Sequence, residues 1–365
     1  MKILLLCTDA YGGHGGIALF NRQLISALAT HPHSEEIVVV PRVIVHDLEP
    51  QPPTVTFLSE AARSKSRYVS TVLATARRTR FDIILCGHVN LLPLARSLGQ
   101  APVLVIHGIE AWKRHRVVEM LAHGVRAVLA VSELTRDRFV NWSHYHGPSF
   151  VLPNAVRPEL YGVREKRADL ISRYGLAGKR VLLTLGRIAR EERSKGFDEV
   201  LEILPSLLAT DPDLVYMIAG RGNDVARLEE KARALGVRSR VVFTGFVAEA
   251  EKADLYNLAD VYVMPSRGEG FGFVLLEAMA CGVPVIGSRH DGGREALAHG
   301  ALGLLVDPSN PAELRDAVRE ALRNRTRTIP PGMDAFAYEA FEQRVHHIVE
   351  ALQHRSLETD PHILA

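Results

Sequence analysis

Cysteine is scarce in this chain: Cys7, Cys86 and Cys281 are the only three among 365 residues. They sit in apolar or glycine-flanked contexts without metal-ligand spacing, so neither a disulfide framework nor a thiolate metal site is expected, and a reducing compartment fits. No apolar run approaches the roughly 20 residues of a membrane-spanning helix. The opening Met1-Lys2-Ile3-Leu4-Leu5-Leu6-Cys7 is soon followed by Asp9, and its apolar stretch is too short for a signal peptide. Both features predict a cytoplasmic protein, or one docked on a membrane from the cytoplasmic side. Charge of one sign is also lacking, since 44 Lys and Arg face 42 Asp and Glu for a formal +2. So even a balance gives no reason to expect nucleic acid as a partner. Internal repeats and low-complexity tracts are absent as well.

What remains is an ordinary soluble composition, 47% hydrophobic and 24% charged. At this length about two domains are expected. Short apolar runs alternate with helical patterns throughout. In the first half they are Ile3–Cys7, Ile37–Val40, Ile83–Cys86, Val103–Ile106, Ala127–Val131 and Phe150–Leu152. In the second half they are Val181–Leu185, Leu214–Ala219, Val241–Thr244, Val261–Met264, Val283–Ile286 and Gly303–Val306. Runs this short, bounded by Gly, Pro or Asp, read as strands buried on both faces. Segments such as Ile17–Ala29 carry apolar residues at helical spacing and read as crossovers. The expected fold class is α/β, two parallel Rossmann-like sheets in series. The expected divisions are 1–155, 156–334, and a last helix with tail over 335–365.

Open α/β sheets bind ligands at the carboxyl ends of their strands, so the residues following each strand carry the argument. The richest segment is Arg267–Ala280, RGEGFGFVLLEAMA. Glu269 and Glu277 flank the turn Gly270-Phe271-Gly272-Phe273, which opens into an apolar helix. The first amides of a helix are unpaired and carry about half a positive charge, which suits an anion. Two carboxylates beside it suit sugar or ribose hydroxyls. After the strand at 181–185 come Arg187 and, past a loop, Lys195. Fixed cations of this kind stabilise the charge that builds on a departing diphosphate. In the first half, Gly12-Gly13-His14-Gly15-Gly16 follows the first strand and His107 follows the strand at 103–106. The glycines permit close approach to an anion, and the imidazole is able to donate a hydrogen bond to a sugar or phosphate. Asp211-Pro212-Asp213 precedes its strand and reads as a turn, so no metal is assigned. Loops at 219–222, 244–247 and 291–295 occupy positions equivalent to these.

The second half resembles the retaining GT-B glycosyltransferases of family 4. The resemblance runs in order through GR…KG at 186–196, AGRG, VVFTGFV, LYNLADVYVMPSRGEGFGFVLLEAMACGVPVIGS and DGGRE, spanning about residues 181–310. The first half is similar more loosely, through the Gly12–Gly16 loop, HGIE, VSE and LPNAV. The resemblance implies two Rossmann-like domains facing a cleft, with a UDP- or GDP-sugar donor held by the second and the acceptor by the first. It implies that Arg187 and Lys195 grip the diphosphate and that Glu269, with the amides of Gly270, Phe271, Gly272 and Phe273, faces the transferred sugar. Glu277 would take the ribose hydroxyls, the backbone near Phe246 and Val247 the base, Gly15 and Gly16 would close over the diphosphate, and His107 would lie beside the sugar. It further implies retention, no essential metal and no cofactor. One departure stands out: Lys195 lies eight residues after Arg187, where many members have about five, so Arg190 and Arg193 are stand-ins for it.

The acceptor is less legible. Arg63, Lys65, Arg67, Arg77, Arg78 and Arg80 cluster around Tyr68, Val69, Val72 and Leu73, and Trp112-Lys113-Arg114-His115-Arg116 is a second basic and aromatic patch. Either reads as a solvated helix face or, alternatively, as a surface for an anionic inner membrane or a lipid-linked saccharide. The expected function is hexosyl transfer from a nucleotide sugar to a glycan or lipid-linked acceptor in polysaccharide or lipopolysaccharide assembly. The alternatives are a sugar-nucleotide epimerase or hydrolase of the same fold, and a non-catalytic nucleotide-sugar-binding protein.

Overall fold

The computed structural model describes residues 1–323 and 327–353. The chain divides into two compact units, Met1–Ala155 with 338–353, and Val156–Ala337, and the tail expected after the last helix lies outside the described residues.

The first unit is built on seven strands: β1 (Lys2–Cys7), β2 (Glu36–Pro41), β3 (Val55–Phe57), β4 (Ile83–Cys86), β5 (Val103–Ile106), β6 (Ala127–Ala130) and β7 (Ser149–Val151). They lie in the order β3-β2-β1-β4-β5-β6-β7 and every pairing is parallel. Strands β1, β4, β5 and β6 are buried along almost their whole length, which is why they appear in the sequence as unbroken apolar runs. β3 was not among the expected strands. It is a three-residue edge strand with half its surface open, too short for a periodic signal. The helix Tyr338–Gln353 joins this unit, where Phe341, Val345, Ile348, Val349 and Leu352 are buried and Phe341 meets Phe20 edge-on at 5.8 Å. It starts three residues later than expected because Met333–Phe336 forms a separate 3-10 turn after Pro330-Pro331-Gly332.

The second unit has six parallel strands: β8 (Arg180–Leu185), β9 (Leu214–Ala219), β10 (Val241–Gly245), β11 (Val261–Met264), β12 (Val285–Ser288) and β13 (Leu304–Val306). Their order is β10-β9-β8-β11-β12-β13. β12 begins two residues later than the apolar run suggested, since Pro284 has no N–H for a ladder bond. In both sheets the strand order reverses at the centre, between β1 and β4 in one and between β8 and β11 in the other. Chain leaving the two central strands turns to opposite faces there and opens a crevice at the carboxyl edge, where doubly wound folds take their ligands.

Candidate active site

The crevice of the second sheet carries the expected residues of the second half of the chain. β8 leads into Gly186-Arg187 and β11 into Pro265–Gly272, so both segments rise from the two strands that flank the switch point. Between Arg187 and Lys195 the chain makes 3-10 turns over Arg190–Lys195, kinked at Glu192. Arg267 ties this loop to its neighbour by donating its amide to Ser194 O at 2.7 Å. The result places Lys195 Nζ against the carboxylate of Glu269, both largely buried. Arg187 stays exposed and pairs with Glu192. The stand-ins go elsewhere. Arg193 meets the buried Asp224 at 3.3 Å and Arg190 approaches it at 3.8 Å, while Arg227 holds the same carboxylate at 2.7 Å. Asp224 therefore draws both arginines away and leaves Lys195 at the site. Asp211 and Asp213 pair with Arg180 and Lys179 at the start of β8, at the opposite end of that strand.

The EGFG turn is held from below. Gly272, at φ +103, caps the eight-residue helix Phe273–Ala280 in a backbone conformation that favours glycine. Apart from Glu277 that helix is apolar, and apart from Val274 it is buried, with Leu275, Leu276, Ala278 and Met279 in the core. The amides of Gly270, Phe271 and Gly272 find no acceptor among the described residues. The loop after β12 braces the turn. Asp291, fully buried, accepts from Ser266 Oγ at 2.5 Å, from the Glu269 amide at 3.0 Å and from the Gly293 amide at 3.0 Å. Gly292 donates its amide to Glu269 O at 2.8 Å and passes so close to Gly270 O that a Cβ would overlap it. Burial pushes the Asp291 carboxyl up from 3.8 to about 6, against the pull of the Ser266 hydroxyl and the Glu269 amide. This brace was missed in the sequence, where DGGRE read as a glycine turn at the ligand-binding edge and gave Asp291 no role of its own.

Glu277 lies on the same helix and is only 2% exposed. Tyr256 Oη donates to its Oε2 at 2.6 Å and Lys252 Nζ stands 3.4 Å from its Oε1. Burial works against the Lys252 ammonium, yet Glu277 and Glu249 outweigh it and raise its pKa. Burial, with Glu277 adding to it, drives the Tyr256 phenol well above its ordinary value, so the phenol remains a donor. Neither partner was anticipated: both sit on the preceding helix Lys252–Leu258, where Lys252 belongs to no motif and Tyr256 entered only within the LYNLADVYVMPS resemblance, without a role of its own. Phe246 and Val247 follow β10. Phe246 is 56% exposed, with the Arg221 guanidinium 4.8 Å above its ring.

In the first unit, Gly15 and Gly16 are exposed at the opening of the helix Gly16–Thr30. His107 follows β5, and here the sequence reading needs correction. Its Nε2–H is taken by Gly87 O at 3.1 Å, its ring meets Phe20 edge-on at 5.0 Å, and burial lowers its pKa. A neutral ring with Nε2 committed offers Nδ1 as an acceptor, so His107 is suited to receive a hydroxyl proton rather than donate one. Of the acceptor-side residues, Arg63, Lys65, Arg67, Arg77, Arg78 and Arg80 are all exposed, along Ser59–Arg63, the helix Lys65–Arg78, whose Tyr68 and Val72 face the core, and the segment just after it. None of the six forms an ion pair among the described residues. The second patch is less available: Trp112 donates to Thr135 Oγ1 at 3.1 Å under the Arg138 guanidinium, and Arg114 pairs with Glu119. Lys113 remains exposed.

Comparison with known proteins gives this geometry a context. The family model described as glycosyl transferases group 1 matches residues 167–341. A GDP-mannose-dependent alpha-(1-6)-phosphatidylinositol monomannoside mannosyltransferase of Mycobacterium tuberculosis is 34% identical over 256 residues, which cover 66% of this chain and 66% of that one. The match thus spans just under two thirds of that relative. A phosphatidyl-myo-inositol mannosyltransferase of Mycobacterium leprae is 38% identical over 188 residues, 50% of this chain and 48% of its own. Among solved structures, Anabaena Alr3699/HepE in complex with UDP-glucose superposes with a TM-score of 0.75 at 22% identity, covering 96% of this chain and 100% of that one.

Proposed function

The chain belongs to the GT-B glycosyltransferases of family 4, and from that premise we propose that it transfers a hexosyl group from a nucleoside diphosphate sugar to a hydroxyl of a glycan or lipid-linked saccharide. The reading rests above all on one arrangement: Lys195 against Glu269 at the mouth of a helix whose leading amides are unpaired, all braced by Asp291. In this reading the diphosphate lies on those amides with Arg187 and Lys195 neutralising it, so charge building on the leaving group meets donors already in place. Glu269 orients the sugar hydroxyls, and Glu277, held by Tyr256 and Lys252, takes the ribose. His107 Nδ1 accepts from a sugar hydroxyl. Transfer proceeds with retention, the leaving phosphate assisting the acceptor hydroxyl on the same face, and the protein's own cations serve where a metal would otherwise be needed. GDP-mannose is the first donor to try, from the names of the mannosyltransferase relatives, with UDP-glucose second, from the complex of the structural neighbour.

The setting that fits is polysaccharide, lipopolysaccharide or glycolipid assembly in the bacterial cytoplasm, at the inner face of the membrane. No helix among the described residues is long and apolar enough to cross a bilayer, and the exposed basic side chains from Arg63 to Arg80 supply a surface for anionic lipid. The deciding experiment incubates the full chain with each donor and a bacterial lipid extract, with and without EDTA, and determines the anomeric configuration of the product by NMR. An α-linked product from an α-linked donor, undiminished by EDTA, is the expected result. Free sugar as the only product, or an inverted linkage, would overturn the reading.

A further inference from the structure

The switch point of the first sheet, between β1 and β4, carries a second pair of polar side chains that the reaction just described does not use. Asp9 and His88 each lie two residues beyond the end of those neighbouring strands, which run in register with Leu6 opposite Cys86, and the Gly87 amide donates to Leu6 O at 2.7 Å. Both side chains are half-buried. Their chemistry is complementary. His88 Nδ1 accepts from the Asn90 amide at 3.1 Å, which leaves the proton of a neutral ring on Nε2, as a donor. Burial lowers the His88 pKa and so keeps the ring neutral, while Glu110 and Asp9 act in the opposite sense.

The Asp9 carboxylate is poorly satisfied. Arg22 is engaged elsewhere, donating to Ala10 O and Gly13 O at 2.9 Å each and pairing with Glu49 at 3.1 Å, and Asn21 donates to the Asp9 carbonyl at 2.8 Å. Among the described residues its hydrogen bond comes from Thr8 Oγ1 at 3.4 Å. A half-buried carboxylate with one long hydrogen bond is costly unless a ligand completes it. Consistent with this, burial raises its pKa. Glu110 does not compete for the same role, since its Oε1 accepts the His107 and Gly108 amides at 2.5 and 3.1 Å. That leaves a carboxylate that accepts and a ring N–H that donates, side by side at a crevice. An anionic ligand is disfavoured by Asp9, and a metal ion by a histidine whose acceptor nitrogen is already occupied.

We infer that Asp9 and His88 form the hydroxyl-recognition site for the acceptor, binding vicinal hydroxyls of a sugar or cyclitol ring. This rests on the glycosyl-transfer reading, and its test keeps the two separable. The full chain saturated with GDP is presented with methyl α-D-mannopyranoside and, separately, with myo-inositol, and binding is read by saturation-transfer NMR. Wild type is expected to saturate at least one probe, and whichever it is identifies the ring class. Asp9→Asn and His88→Phe should each cut that signal at least fivefold while the thermal shift given by GDP-mannose or UDP-glucose stays at the wild-type value, which also establishes that the variants fold. Wild type that saturates neither probe, or variants that saturate like wild type, would overturn the inference. Absence of any nucleotide thermal shift in wild type would instead defeat the glycosyl-transfer reading and leave the saccharide result to stand or fall alone.

Discussion

Asp291 is the buried group on which the geometry of the EGFG turn depends, and replacing it with asparagine has a cost that changes with pH. Both carboxylate oxygens are in use: Oδ2 serves Ser266 Oγ and the Glu269 amide, and Oδ1 serves the Gly293 amide. In Asp291→Asn one oxygen becomes an NH₂, so one backbone N–H loses its acceptor whichever way the amide sits, at about 1–3 kcal/mol. Against this stands the charge that the wild type must bury. The folded pKa is raised from 3.8 to about 6, so the folded chain binds a proton that the unfolded chain has lost. The stability from this group is fully present below pH 3.8 and is lost as pH rises through 6, about 3 kcal/mol in all. Between pH 8 and pH 4.5 the linkage relation gives the wild type about 2 kcal/mol that the asparagine variant cannot gain. Urea unfolding of both proteins at the two pH values is the assay. The difference in stability between them should grow by about 2 kcal/mol in favour of wild type on acidification. A difference that does not move with pH, or that shrinks on acidification, would refute the reasoning.

Three further outcomes follow from single contacts. Tyr256→Phe removes the 2.6 Å hydrogen bond to the buried Glu277 and should cost about 2 kcal/mol in unfolding free energy while raising the donor KM more than it lowers kcat. A variant within about 0.5 kcal/mol of wild type would show that Oε2 of the carboxylate does not depend on Tyr256 for a donor. Gly292→Ala has an ordinary backbone conformation to adopt, φ −64 and ψ −14, but its Cβ falls on Gly270 O. It should lose about 1–3 kcal/mol from overpacking and at least tenfold in kcat/KM, and unchanged kinetics would mean that the brace does not position the turn. Reversing Arg63, Lys65 and Arg67 to glutamate should weaken flotation with anionic vesicles by at least about a hundredfold, since losing the three cations alone removes about 1 kcal/mol per site, and equal retention would remove the basic face from the account.

Much of this was legible because the signals are local. A strand, a glycine turn and an apolar helix occur within Val261–Ala280, and the positions of Glu269 and Glu277 followed from that contiguity. The misreadings at the site are tertiary. His107 reads as a donor in sequence, but Gly87, twenty residues earlier, takes its Nε2–H. The choice among Arg190, Arg193 and Lys195 was open until Asp224, on another loop, claimed both arginines. Asp291 appears in sequence as part of a glycine turn, and only the adjacency of β11 and β12 brings it under Glu269. β3 escaped notice because three half-exposed residues at a sheet edge carry no periodicity.

The central claim is that Arg187 and Lys195 form, with the amides after Glu269, the seat of a nucleoside diphosphate sugar. It is tested most directly by thermal shift of the wild type and of the Arg187→Ala/Lys195→Ala double variant in GDP-mannose and UDP-glucose. Wild type should gain about 2.7 kcal/mol at 100 times the dissociation constant of the preferred donor, and the double variant should gain next to nothing at the same concentration. Equal stabilisation of the two proteins would contradict the account.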